Sequence, residues 1–328
     1  MLKTAVIGVG SLGRHHARVQ AELTQEGRAQ LVAVCDAREE TARAVADERG
    51  CAFTDDWRTL IGRVEAVSLA TPTETHCEIA CELLRAGVHV LVEKPIARTL
   101  DEADAMREAA EAGHALLQVG HLERFNPALQ ALYPHVTGPL YFEIHRVGVF
   151  TARSLDIDVV LDLMIHDLDI VQWLVGADVP VAEVHAVGIP VLTPKVDAAN
   201  ARIEFANGAV ANITASRIGT EKIRKMRFFQ PHAYVAVDYL TRYAAISHLV
   251  PSLANPGVNT TRFEITDAEP LRSEIVSFLD AITHGTPAPV SGADGRRALA
   301  TALRVMDSIH EHVARSSVEI LKEQFERS

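Results

Sequence analysis

Residues 3–13 read KTAVIGVGSLG, and their order decides the fold. The apolar run over 3–8 reads as a strand. It ends in Gly8-Val9-Gly10-Ser11-Leu12-Gly13, and a helical pattern follows over 12–25. The spacing G-x-G-x-x-G is weak by itself. Between a strand and a helix it marks a turn where backbone can approach a pyrophosphate and where the helix start offers unpaired N–H groups to the phosphates. Gly8, Gly10, Ser11, Leu12 and Gly13 are therefore candidate dinucleotide-binding residues. Asp36 ends the next apolar run, 23 residues beyond Gly13, where a carboxylate can accept hydrogen bonds from both ribose hydroxyls. It would repel a 2′-phosphate, which favours NAD. Arg38 could neutralise such a phosphate, which keeps NADP as the alternative.

Outward from this turn, the first 120 residues alternate. Strand patterns lie at 3–8, 31–35, 51–53, 65–70, 88–92 and 115–119, with helical patterns near 12–25, 38–49, 73–86 and 101–112. Continuous apolar strands separated by helices imply a parallel sheet covered on both faces. Gly50, Gly87 and Gly113 fall where helices end, and Asp101 and Thr73 are placed as helix N-caps. After residue 121 the pattern changes to long strands at 139–149, 181–192, 199–206, 209–216, 223–229 and 233–240, with Asn207-Gly208 as a hairpin signal. Helices are expected at 155–175, 270–284 and 294–314, and an exposed loop at 251–260. The fold class is α/β. A doubly wound Rossmann domain over 1–121 precedes an α+β domain over 122–328 with an open, mostly antiparallel sheet, and helix 294–314 could pack back on the first domain.

Bulk properties narrow the function. The 328 residues are 48% hydrophobic and 23% charged, which suits a globular enzyme with a sizeable core. A net charge of −11 argues against a nucleic-acid partner. No apolar run approaches the ~18 residues a membrane span needs, and the apolar part of the N-terminus is too short for a signal peptide. Cys35, Cys51, Cys77 and Cys81 form no Cys-x-x-Cys pair and are expected as reduced thiols rather than metal ligands, in the cytoplasm.

Three further motifs carry chemistry. Thr71-Pro72, with His76 after it, and Glu93-Lys94-Pro95 follow the ends of parallel strands, where ligands of such sheets bind. A lysine at the inner end of a buried strand is costly without a partner or a task, and Pro95 fits a cis bond. Asp162, His166 and Asp169 form one polar stripe on a helix that is otherwise apolar nearly all round. Such a stripe should face a wet cleft, with Asp162 orienting the His166 ring; a satisfied structural Asp–His pair is the plain alternative. Finally, GHLERFNP at 120–127 crowds His121, Glu123 and Arg124 just after the last parallel strand. His121 and Glu123 are candidate contacts for nicotinamide or substrate. Arg124 either binds a phosphate or joins the two domains through a salt bridge.

Together, the glycine turn, Glu93-Lys94-Pro95 and Asp162-x-x-x-His166 resemble the Gfo/Idh/MocA oxidoreductases over residues 3 to about 312. The resemblance implies nicotinamide-dependent oxidation of a sugar or cyclitol hydroxyl, with Lys94, Asp162 and His166 as the catalytic set. The stretches GHLERFNP, VLDLMIHDLDI and AYVAVDYL are similar to those of members that oxidise the 3-hydroxyl of UDP-N-acetylglucosamine. Another sugar or inositol dehydrogenase, an NAD-dependent glycosidase and a non-catalytic NAD sensor are the other readings. The family's exposed sheet often joins subunits, which suggests a homodimer or homotetramer. Ile203, Phe205, Val210, Ile213, Phe228 and Val235 could line that face, unless a helix covers them.

Overall fold

The computed structural model describes residues 1–151, 157–250 and 257–315. They form two compact units: residues 1–122 with 268–296, and residues 123–267 with those from 297 onward. The first crossing falls beside the boundary expected from sequence. The return of residues 268–296 to the first unit was not foreseen.

The first unit runs β1 (Leu2–Ile7), α1 (Gly13–Gln25), β2 (Ala29–Cys35), α2 (Glu39–Arg49), β3 (Ala52–Thr54), β4 (Ala66–Leu69), α3 (His76–Arg85), β5 (His89–Glu93), α4 (Leu100–Ala112) and β6 (Leu117–Gly120). Its sheet has the order β3-β2-β1-β4-β5-β6, with every pair parallel. The order reverses between β1 and β4, and in open sheets of this kind the ligand crevice lies at the carboxyl ends beside that switch. Thr99 rather than Asp101 caps α4, its side chain accepting the Glu102 N–H, and no side-chain cap involves Thr73.

The second unit holds α5 (Pro127–Leu132), β7 (Tyr141–Val149), α6 (Ile165–Val175), β8 (Val181–Ile189), β9 (Ala198–Phe205), β10 (Val210–Gly219), β11 (Ile223–Gln230), β12 (Ala233–Asp238), β13 (Tyr243–Val250) and β14 (Gly257–Arg262). The sheet order is β14-β13-β12-β11-β7-β10-β9-β8, antiparallel except for the β7–β10 pair. The Asn207-Gly208 hairpin joins β9 to β10 as expected. The expected loop at 251–260 does not hold for residues 257–260, which lie in β14; 251–256 are outside the described residues, as are 155 and 156 of the expected helix 155–175.

One face of this sheet is buried under α6. Ile203, Phe205, Ile213, Phe228 and Val235 pack with Ile165, Leu168 and Ile170 of the helix. Burying each such side chain contributes about 1.5–3 kcal/mol, so this layer is the core of the unit. A face these residues could share with another subunit is thereby corrected: they are covered by the chain itself. Val210 has the opposite strand parity and is half-buried.

Two helices complete the chain. In α7 (Pro270–His284), Leu271, Ile275, Phe278 and Leu279 pack with Val19 and Leu23 of α1 and Leu91 of β5, within the first unit. Only the opening of α8 (Gly292–Arg315) belongs to the first unit, where Arg296 pairs with Asp104 at 2.6 Å; the remainder belongs to the second. The segment that returns to the first unit thus comprises α7 and the opening of α8.

Candidate active site

The glycine turn leaves β1 at the switch point. Gly8 has φ +81°, and a Cβ there would meet the Ala70 carbonyl at 2.7 Å. A Cβ on Gly13 would sit 1.7 Å from the Gly8 carbonyl oxygen. The fold itself thus requires both glycines. Gly10 differs: a Cβ would meet no described atom within 4 Å. Packing does not demand glycine there, whereas close approach of a pyrophosphate does. Ser11 and Leu12 are exposed on the same turn. The N-terminus of α1 has no side-chain cap and no acid in its first turn, while α2 carries Glu39 and Glu40 there and α4 carries Asp101 and Glu102. An uncapped helix start without carboxylates is the one suited to phosphate.

Asp36 lies just beyond β2, its side chain 11% exposed. One oxygen accepts the Val9 N–H at 3.0 Å, which ties the ribose acid to the glycine turn; the other accepts the Arg38 N–H at 3.0 Å. The Arg38 guanidinium is 3.4 Å from the same carboxylate but 72% exposed. These residues fit NAD: a fixed acid for the ribose, a glycine where backbone must approach, and a bare helix start. Asp36→Ser should remove charged hydrogen bonds of about 1.5–3 kcal/mol and so weaken NAD by about tenfold or more, while relaxing the bar against NADP. Titration of each nucleotide by fluorescence checks this; an unchanged NAD affinity would refute the ribose role.

Beyond β4, Thr71 Oγ1 lies 2.8 Å from the Thr75 hydroxyl, and Pro72 is exposed. His76 is not a surface ligand. It is buried, with Nε2 2.9 Å from the Thr71 carbonyl and Nδ1 3.1 Å from the Pro95 carbonyl. It joins the loops after β4 and β5. Burial pushes its pKa down against those carbonyls.

Glu93 ends β5, and the Lys94–Pro95 peptide is cis. Glu93 Oε1 is 2.9 Å from His16 Nε2, and Oε2 accepts the Lys94 N–H at 3.3 Å. Burial opposes ionisation of Glu93, but His16 and the Lys94 charge outweigh it and hold the carboxyl below its usual range. His16 gave no signal in the sequence, since it reads as one more polar residue on α1.

In the second unit, Asp162 lies in a π-helical turn (Val160–Met164) that leads into α6, and His166 lies in the first turn of α6. π-Turns inside helices recur at functional sites, because the wider turn re-aims side chains. Both residues are half-buried. The expected stripe does not include Asp169. That side chain is buried and takes two bonds from Arg124, at 2.7 and 2.6 Å. Arg124 is therefore an ion-pair partner of Asp169 inside the second unit. Asp167 is likewise buried and takes two bonds from Arg146, at 2.7 and 2.8 Å. Glu123 is buried beside them, 2.8 Å from Arg146 and 3.5 Å from Arg224. Burial opposes its ionisation, but Arg146, then Arg224 and Asn126, outweigh this and hold the Glu123 carboxyl below its usual range. Glu123 and Arg124, the candidate substrate contacts, thus belong to a buried charge network beside the start of α6. His121 is 1% exposed, so it too belongs to the interior. The sequence did hold a sign of Arg146: within YFEIHRVGV it falls on the apolar phase of the strand.

A groove of about 490 Å³, lined in part by His145, Lys225, Arg227, Tyr234 and Tyr243, opens elsewhere on the sheet; neither Asp162 nor His166 lines it.

Comparison with known proteins agrees with this architecture. Residues 2–121 match a model described as an oxidoreductase family with an NAD-binding Rossmann fold, and residues 139–229 match the GFO/IDH/MocA C-terminal domain. The chain is 41% identical over 319 residues to a UDP-N-acetylglucosamine 3-dehydrogenase of Acidithiobacillus ferrooxidans, covering 96% of this chain and 99% of the relative. It is 30% identical to the scyllo-inositol 2-dehydrogenase (NAD(+)) of Bacillus subtilis over 66% of this chain and 67% of that one. A solved structure of the Acidithiobacillus enzyme superposes with TM-score 0.88 at 40% identity, over 94% and 98% of the two chains. Levoglucosan dehydrogenase in complex with NADH and levoglucosan shares the fold, with TM-score 0.82 at 22% identity over 94% and 97%. The chain belongs to the GFO/IDH/MocA oxidoreductases. It is an NAD-binding dehydrogenase, and among the described residues no helix is long and apolar enough to cross a membrane.

Proposed function

We propose that the protein oxidises the 3-hydroxyl of UDP-N-acetylglucosamine to a ketone with NAD. The observation that carries this reading is the 41% identity over 96% of the chain to a dehydrogenase of that name. NAD, when bound, accepts the hydride. The roles left to the protein are proton removal and charge stabilisation. His166, with Asp162 orienting its ring, takes the hydroxyl proton. The Lys94 ammonium stabilises the charge developing on the same oxygen. An alkoxide is very unstable in neutral water, so a placed base and a placed cation address the main barrier.

The assay offers UDP-N-acetylglucosamine, other nucleotide sugars and inositols with NAD and with NADP, and reads NADH or NADPH absorbance. The keto product is trapped so that an unfavourable equilibrium does not hide turnover. Turnover with UDP-N-acetylglucosamine and NAD is the expected result; turnover with an inositol alone would overturn the substrate. Net NADH also separates a dehydrogenase from an NAD-dependent glycosidase, which regenerates its cofactor. The reading includes a cytoplasmic homodimer or homotetramer, and sedimentation of the purified protein as a monomer would remove that part.

A further inference from the structure

Ser68, Leu91 and Gln118 are register partners across β4, β5 and β6, so their side chains share one face of the parallel sheet. Leu91 packs there with Val19, Leu23, Ile275 and Phe278 from α1 and α7. Within this apolar layer lie five polar side chains: His16 and Gln20 from α1, Ser68 and Gln118 from the sheet, and Glu274 from α7, all buried and Glu274 wholly so. Gln20 Nε2 donates to Ser68 Oγ at 2.8 Å, Gln118 Nε2 to the Glu274 backbone carbonyl at 3.3 Å, and His16 Nε2 is 2.9 Å from Glu93.

Five atoms remain. His16 Nδ1, Gln20 Oε1, Gln118 Oε1 and both carboxyl oxygens of Glu274 have no hydrogen-bond partner among the described residues. The role of His16 Nδ1 depends on the proton the ring carries, whereas the other four atoms are acceptors. Leaving one buried acceptor unpaired costs free energy; leaving four is at odds with a fold of ordinary marginal stability. Donors must come from outside the side-chain set. Ordered water supplies two per molecule, and a carboxylic acid supplies one.

We propose that His16, Gln20, Gln118 and Glu274 line an internal polar site that holds ordered water and in which Glu274 is the neutral acid. The electrostatics agree. Burial, followed by the charge on Glu93, pushes the Glu274 carboxyl well above its usual range, while Glu93 lies below its own. Two carboxylates that feel each other do not both ionise readily, and the one with partners that favour its charge keeps it. Those partners, the hydrogen bond from His16 and the Lys94 charge, belong to Glu93. From the elements packed on α7, the Glu93 charge on β5 acts on Glu274 and Gln118 on β6 donates to its backbone carbonyl, while α1, which carries His16 and Gln20, packs on the same helix. The nearby cations Arg18, Arg28 and Arg272 pair at the surface with Glu269, Asp280 and Glu26. A neutral Glu274 lets Glu93 stay ionised beside Lys94, which makes Glu274 a positioning residue behind the cofactor-side strand ends.

Two measurements on the full-length protein test this. Infrared spectra of protein carrying isotope-labelled glutamate should show the carbonyl stretch of one protonated glutamic acid at neutral pH, lost in Glu274→Gln. The thermal midpoints of wild type and Glu274→Gln should also diverge with pH. A folded pKa above the unfolded value means wild type loses stability as pH rises above the ordinary glutamate range, whereas glutamine has no proton to lose. The advantage of the variant should grow as pH rises above the ordinary glutamate range toward the folded pKa. An absent acid band, or a constant difference between the midpoints, overturns the proposal. Should Glu274→Gln fail to fold, the labelled wild-type spectrum decides alone.

Discussion

Lys94→Ala and His166→Ala are each expected to lower turnover by about 10²–10⁴-fold or more, the usual range for losing a positioned proton-transfer group. NAD affinity should stay within a few-fold, because the residues that fit the dinucleotide are the glycine turn, the α1 N-terminus and Asp36, none of which either variant touches. The two losses should differ in kind. Without His166 the base is missing, and raising the pH should recover part of the rate as hydroxide takes over. Without Lys94 the charge on oxygen is unopposed, and pH should recover little. Steady-state turnover against pH, with NAD binding read by fluorescence, makes the comparison. Unchanged turnover in both variants would remove the catalytic assignment while leaving the family membership intact.

Arg146→Met is expected to destabilise the protein by about 3–5 kcal/mol, the cost of removing one partner from a buried ion pair. The side chain is 2% exposed and makes three charged bonds: two to Asp167, at 2.7 and 2.8 Å, and one to Glu123, at 2.8 Å. Burial works against its charge, but the two carboxylates outweigh it and hold its pKa well above the ordinary value. Burial pushes Asp167 up in spite of this partner. Without Arg146, Glu123 too loses its main support, and both folded-state pKa values should rise above their unfolded values. The sign follows: carboxyls that must be protonated when folded penalise folding increasingly as pH rises. Denaturant midpoints should therefore show a smaller loss near pH 5 than near pH 8, since only the more acidic solution protonates these groups. A loss under ~1 kcal/mol, the usual size for an exposed pair, would mean the network is not the support of α6 inferred from its geometry.

Much of the first unit was legible in the chain. Its strands are buried on both faces and so read as continuous apolar runs, and its helices end at glycines. Local chemistry also exposed the glycine turn, Asp36 and the Asn207-Gly208 hairpin, because each depends on residues close in sequence. The polar segment at 120–127 was read less well. Its charged residues drew attention rightly, but their partners Arg146 and Asp169 lie 20 or more residues away. The strand at 257–262 was hidden for a similar reason: GVNTTR has exposed side chains throughout and is a strand because it hydrogen-bonds to β13.

The sequence by itself determined the class of fold, a dinucleotide site that favours NAD and the chemistry to look for, since backbone periodicity and turn stereochemistry are local properties. Tertiary structure alone decided which polar residues are structural. His76 joins two loops, Arg124 and Arg146 neutralise buried aspartates, and α7 returns to the first unit with Glu274 in its interior. The physical reason is that the state and role of a charged group depend on what surrounds it in space, and burial, partners and repulsion are set by distant parts of the chain.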